Sequence, residues 1–155
     1  MSYPTEDNQF LGDHVDMMAE SYRRLLGEPL CYGDFVHQTV AKTLFYAPFA
    51  VLSHTKDVDP LFNYANLKAL ELFEFAWDEL IGMPSRLSVE PACQEDRDKL
   101  LEEVSQKGFI KNYQGIRLAK SGSRFLIKNA VVWNLFDRKD NYAGQAACLK
   151  EWEFL

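Results

Sequence analysis

Residues 62 to 84 read FNYANLKALELFEFAWDELIGMP. The apolar opening predicts a short strand that ends in an Asn turn. Asn66 stands where its side chain can accept a backbone N–H at a helix N-cap, and the residues from there to Phe73 are mostly good helix formers. A second helical turn follows, and Gly82 with Pro84 supplies its stop. The chain therefore bends sharply twice within this one stretch.

Working outward, residues 1 to 10 are polar and lack a period, which predicts a loose tail. From 12 to 26 the apolar residues Val15, Met18, Tyr22, Leu25 and Leu26 recur at helical spacing, with Asp13 and Asp16 at the start and Arg23 and Arg24 at the end. That is an amphipathic helix whose charges match its dipole. It either packs on its own domain or pairs with a second subunit. A second helix is expected over 35 to 45, an apolar strand over 48 to 54, and a turn over 56 to 60 leading into a short strand over 61 to 64. Downstream of the central stretch, 95 to 107 has Leu100, Leu101 and Val104 on one helical face, and Gly108 ends it. Three strands complete the chain, over 109 to 119, 124 to 136 and 142 to 152, joined by Lys-Ser-Gly-Ser and Asp-Arg-Lys-Asp-Asn turns.

At 155 residues the chain is about one domain long and buries roughly 68–70% of its unfolded surface, so no metal or disulfide is needed for a core. Aromatic residues make up 14%, with 11 Phe, 7 Tyr and 3 Trp, and large rings pack with irregular space between them. A net charge of −6 and scattered basic residues argue against a nucleic-acid partner. Cys31, Cys93 and Cys148 lie far apart without CxxC spacing, which excludes a zinc ribbon and fits a reducing cytoplasm. No stretch has the roughly 18 consecutive apolar residues of a membrane span, and the N-terminus has no signal-like apolar region.

The central stretch resembles the PAS signature, and more closely the MEKHLA branch of that superfamily, found in plant class III homeodomain-leucine zipper transcription factors and as small bacterial proteins. The matching pieces are APFAVLSH (47 to 54), DPLFNYANLKALELFEFAWDEL (59 to 80), MPSRLS (83 to 88), GIRLAKSGSRFLIKNAVVWNL (115 to 135) and GQAA (144 to 147), and SYRRLLGEPL (21 to 30) is also similar to the bacterial members. The resemblance implies an α+β fold: a PAS-like five-stranded antiparallel sheet with helices on one face, preceded by N-terminal helices. It divides the chain into a tail and helical cap over 1–46 and the domain over 47–155. In the plant relatives the module looks like a regulator of dimerisation, which implies here a general capacity for association, including a homodimer through the N-terminal helix.

Candidate site residues come from strand alternation. Over 124 to 136 it places Arg124, Lys128 and Asn134 on one face, and Phe125, Ile127, Asn129, Val131, Trp133 and Leu135 on the other. Asn129 is then a polar residue facing the core, where an unpaired amide costs about 1–3 kcal/mol. On the last strand Ala143, Gln145 and Ala147 share a face. Asn129 and Gln145 thus stand as amides on adjacent strands, walled by Trp133, Ile127, Phe73 and Trp77, a setting for a small planar or aromatic ligand. The competing reading is that the amides satisfy each other, or a buried water, in a closed core.

Cofactor chemistry common among PAS proteins finds no support. Haem needs an axial histidine, and none occurs after His54; a flavin adduct needs an Asn-Cys-Arg context, and Cys93 stands in Pro-Ala-Cys-Gln. No GxSxG, HExxH, GxxxxGK[ST] or GxGxxG motif is present, and no metal-ligand cluster. No kinase, cyclase or helix-turn-helix pattern remains once the core is assigned, so any signal leaves by contact with an unknown partner. The expectation is a cytoplasmic, non-enzymatic sensory or interaction domain. The alternative is a cone-shaped α+β pocket enzyme or binding protein of the nuclear-transport-factor-like class, which groups its first helices before almost all of its sheet.

Overall fold

The computed structural model describes residues 2–155, which form α1 (Gly12–Leu26), α2 (Val40–Phe45), β1 (Ala50–His54), β2 (Phe62–Ala65), α3 (Leu67–Phe73), α4 (Trp77–Leu80), α5 (Gln94–Lys107), β3 (Phe109–Leu118), β4 (Arg124–Phe136), β5 (Tyr142–Leu149) and β6 (Glu151–Phe154). Three regions differ from expectation. The described part of the expected loose tail is packed instead, with Phe10 buried in the core and the Tyr3 ring edge-on to Phe45 at 5.5 Å. The second helix starts at Val40 rather than Phe35, because Thr39 accepts the Lys42 N–H as N-cap while the Asp34 side chain accepts the Val36 N–H and holds a separate turn. The last strand breaks at Lys150 into β5 and β6.

The sheet order is β2-β1-β5-β4-β3, antiparallel throughout. One edge of the long β4 is shared: β5 pairs with Val131–Phe136 and β6 with Phe125–Lys128. Between the two partners lies Asn129, with φ 52°, a left-handed conformation that Asn adopts more readily than most residues. α5 separates the two short strands from the long ones, so the element order is that of the PAS arrangement and not of the cone-shaped class.

α3 and α5 lie against one face of the sheet, and α1 covers the other. Val15, Met18 and Tyr22 of α1 are buried, the Trp133 indole donates to the Met18 carbonyl at 3.1 Å, and the Tyr22 ring meets Trp133 edge-on at 4.9 Å. With both faces covered, all five residues of β1 are buried. The apolar stripe of α1 is thus spent on its own sheet, and Asp13, Asp16, Glu20, Arg23 and Arg24 face outward. One core runs from Phe10 to Leu149, across the expected boundary at 46/47.

Asn66 is fully buried and uses its whole hydrogen-bonding capacity. Its Oδ1 accepts from Ala69 N at 3.1 Å, capping α3, and from Val51 N at 3.0 Å; its Nδ2 donates to the Leu44 carbonyl at 2.9 Å and the Phe49 carbonyl at 2.8 Å. One amide therefore ties the end of α2, the start of β1 and the first turn of α3. Asn66→Ala strands two buried N–H groups and two carbonyls, and the expected loss is about 3 kcal/mol, read as a lowered urea midpoint at unchanged slope.

Candidate functional site

Between α5, α3 and the sheet lies a cavity of about 90 Å³. Leu52, Phe73, Leu100, Ile127, Val132 and Ala147 supply apolar wall, while His54, Ser85, Ser88, Arg97, Tyr113, Arg117 and Gln145 supply the polar groups. Cross-strand register explains part of this grouping. His54 of β1 and Asn134 of β4 both stand opposite Gln145 of β5, so the three form one row across the sheet on the face toward α5.

The row is a continuous hydrogen-bond chain. Arg97 Nη2 donates to Ser85 Oγ, Ser85 Oγ lies 3.3 Å from His54 Nδ1, and His54 Nε2 lies 3.1 Å from Gln145 Oε1. Since Gln145 Oε1 only accepts, Nε2 carries the imidazole proton and Nδ1 accepts from Ser85. Gln145 Nε2 then faces Asn134 Oδ1 at 3.1 Å, the Leu101 carbonyl at 3.2 Å and Ser105 Oγ at 3.3 Å, and Asn134 Nδ2 donates to the Val104 carbonyl at 3.0 Å. The sheet amides are in this way hydrogen-bonded to the backbone of α5. Gly144 keeps the row tight: at φ 129°, a Cβ there would stand 2.1 Å from the His54 carbonyl oxygen.

Of the residues expected to build the site, Phe73, Ile127 and Gln145 line the cavity. Asn129, Trp133 and Trp77 do not. Asn129 is exposed and donates to Glu151 Oε2 at 2.9 Å, and its left-handed backbone makes a bulge that slips the alternation of β4 by one residue. Ile127 before the bulge and Val132 after it therefore share the cavity face, Asn134 turns inward beside Gln145, and Trp133 is moved to the α1 face. Trp77 is buried against Tyr64 and Tyr3 instead.

The sequence reading missed His54, Arg97, Arg117, Ser85 and Asn134. Arg97 was within reach: it stands three residues before Leu100 and seven before Val104, on the inward stripe of the helix. His54 stands out in the sequence only as a potential metal ligand. The Ser85–Ser88 turn had no such signal, because the Leu61–Pro84 bridge and the Ser85 N–H to Pro60 carbonyl bond position it from a distant segment.

The MEKHLA domain model matches residues 12–154 of the chain. No curated protein matches it in sequence. Among solved structures, the PAS domain of a Colwellia psychrerythraea protein is similar at TM-score 0.63 and 16% identity, over 72% of this chain and 92% of that one. A light-oxygen-voltage domain studied with a flavin analogue is similar at TM-score 0.58 and 18% identity, over 79% and 88%. The Cys71Ser mutant of Vivid is similar at TM-score 0.58 and 14% identity, over 88% and 99%. At these identities the structural likeness speaks for the fold.

Burial pushes the pKa of His54 down to about 4, with Arg97 adding to the effect and the Gln145 bond opposing it. Burial likewise lowers His14, on the α1 face beside Ser53, to about 4. Both are neutral in the fold and gain a proton near pH 6.5 when unfolded, so their contribution is complete above pH 6.5 and is lost as pH falls toward 4. Each histidine removes roughly 2 kcal/mol between pH 7 and 5. His54→Gln is expected to flatten the pH dependence of the urea midpoint over this window relative to wild type, whereas an equal slope in the two proteins contradicts a buried neutral His54.

Proposed function

The chain belongs to the MEKHLA domain family of the PAS-like superfamily, and from that premise we propose that it is a non-enzymatic sensory domain that takes a small ligand into the cavity between α5 and the sheet. The observation that supports this reading most directly is the join of that cavity to the Ser85–His54–Gln145–Asn134 chain, which ends on carbonyls of α5. A ligand that draws a hydrogen bond from any member makes the rest rearrange, because each donor has its acceptor within the chain. The change then reaches the one long helix on that face.

The flavin named for one of the similar structures does not come over to this chain. Its cavity is about 90 Å³, below the roughly 300–1,000 Å³ of cofactor pockets, and no cysteine is among its described lining residues. It is also smaller than the roughly 150 Å³ cavity that accommodates benzene, which favours a compact ligand over an aromatic one. Sequence charge and cysteine spacing support a cytoplasmic setting without nucleic acid. Among the described residues no helix is long and apolar enough to cross a membrane.

Association with a partner or a second copy is the second reading, favoured by the exposed Tyr32, Phe35 and Val36 ahead of α2. A homodimer through α1 would use its charged outward side. Sedimentation of wild type and an α1 charge-reversal variant, Glu20→Arg with Arg24→Glu, distinguishes the two contacts: a dimer lost in the variant runs through α1.

Native mass spectrometry of freshly purified protein is expected to show a small adduct that denaturation removes. The adduct should be lost in Gln145→Leu and kept in Asn129→Gly, whose side chain lies outside the cavity. A bare mass in wild type, with no ligand found by thermal-shift screening, counts against the sensory-ligand reading.

A further inference from the structure

We infer that the ligand is a small carboxylic acid, held as its carboxylate by Arg97 with Arg117 at the cavity rim. The inference rests on the ligand-sensor reading above and specifies its substrate class. Arg97 and Arg117 both line the cavity, whereas no carboxylate does among the described lining residues. Arg97 is 7% exposed, and its planar guanidinium has five N–H donors. Its hydrogen bonds among the described residues reach the neutral Ser85 hydroxyl and, at 3.4 Å, Asp98 Oδ1, a carboxylate that stands 71% in solvent. A buried cation without a close counter-charge is costly, and breaking a buried ion pair costs as much because it leaves this situation.

Apart from Asp98, the neighbouring acids are engaged elsewhere. Asp96 accepts from the Tyr113 hydroxyl at 3.1 Å, and Asp59 pairs with Arg86 at 3.2 Å. Arg117 donates to the Ile116 carbonyl at 2.9 Å and to Tyr113 Oη at 3.2 Å, which fixes its stem over the Tyr113 ring and leaves further N–H groups. Burial lowers the pKa of Arg97; Asp98 and Asp59 oppose the shift, and Arg117, the second cation facing this space, adds to it. A bidentate carboxylate answers both needs at once: it neutralises the buried charge and fills the fork geometry that Lys could not match. Ser85, bound to both Arg97 and His54, places the carboxylate one hydrogen bond from the row that ends on α5.

Isothermal titration of the full chain with succinate, with its neutral analogue succinamide, and with inorganic phosphate tests this. Succinate is expected to bind saturably, succinamide about 10- to 100-fold more weakly, and Arg97→Met to lose succinate by a similar factor. Arg117→Gln, at a half-buried site, is expected to weaken succinate several-fold while keeping the fold, and it serves as the readout should Arg97→Met not fold. Equal binding of succinate and succinamide, undiminished succinate binding in Arg117→Gln, or phosphate binding in place of succinate overturns the carboxylate assignment and leaves the sensor reading standing. No binding of any probe, together with a neutral adduct in the native mass spectrum, also overturns the assignment alone. No probe and no adduct overturns both.

Discussion

The buried amide of Asn66 is the constraint on which the rest of the structure depends. Three segments must turn in one small volume: α2 ends, β1 begins and β2 passes into α3. Each turn leaves backbone groups without a helical or strand partner, and burial removes water as a substitute. Two acceptor and two donor positions on one short side chain meet four of them, at least one in each segment. Asp would lack the donors, and Gln would carry its amide one methylene past these partners. The consequence reaches the cavity, since the direction of α3 fixes where Phe73 stands over the sheet.

The sheet is covered on both faces, and the two coverings divide its chemistry. Under α1, Trp133 and Tyr22 pack tightly, and the polar groups, such as the Trp133 N–H, are used to dock the helix. Under α5 the side chains are smaller, with Ala147 on β5 among the cavity residues, so space remains beside polar residues. A small residue on the strand and an arginine on the helix leave a cavity with a buried charge on its wall. The two sides of one strand order thus differ in packing density.

One bulge redistributes the site. Without it, β4 would carry Asn129, Trp133 and Ile127 on one face, as simple alternation has it. The left-handed Asn129 inserts one residue, and everything beyond it changes face. The amide pair anticipated between β4 and β5 exists, but it joins Asn134 to Gln145. Asn129 instead stands at the junction where β5 gives way to β6, bound to Glu151.

Local signals were sufficient for the elements and their order: the Asn66 cap, the glycine stops at Gly82 and Gly108, helical spacing in α1 and α5, and hairpin turns between the long strands. These depend on a few consecutive residues, and so does the resemblance that gave the fold class. Gln145, Phe73 and Ile127 are legible as cavity residues because Ile127 precedes the β4 bulge, Phe73 lies on a helix, and Gln145 stands beyond the irregularity at the start of β5, where alternation runs undisturbed to Leu149. Which face Asn134 and Trp133 occupy, and how Ser85, His54 and Arg97 come within reach of one another, depended on strand register and on loop closure between distant segments. Those are properties of the assembled sheet: alternation has a period of two, so a single unpaired residue inverts it, and no local pattern in the chain records where such a residue is accommodated.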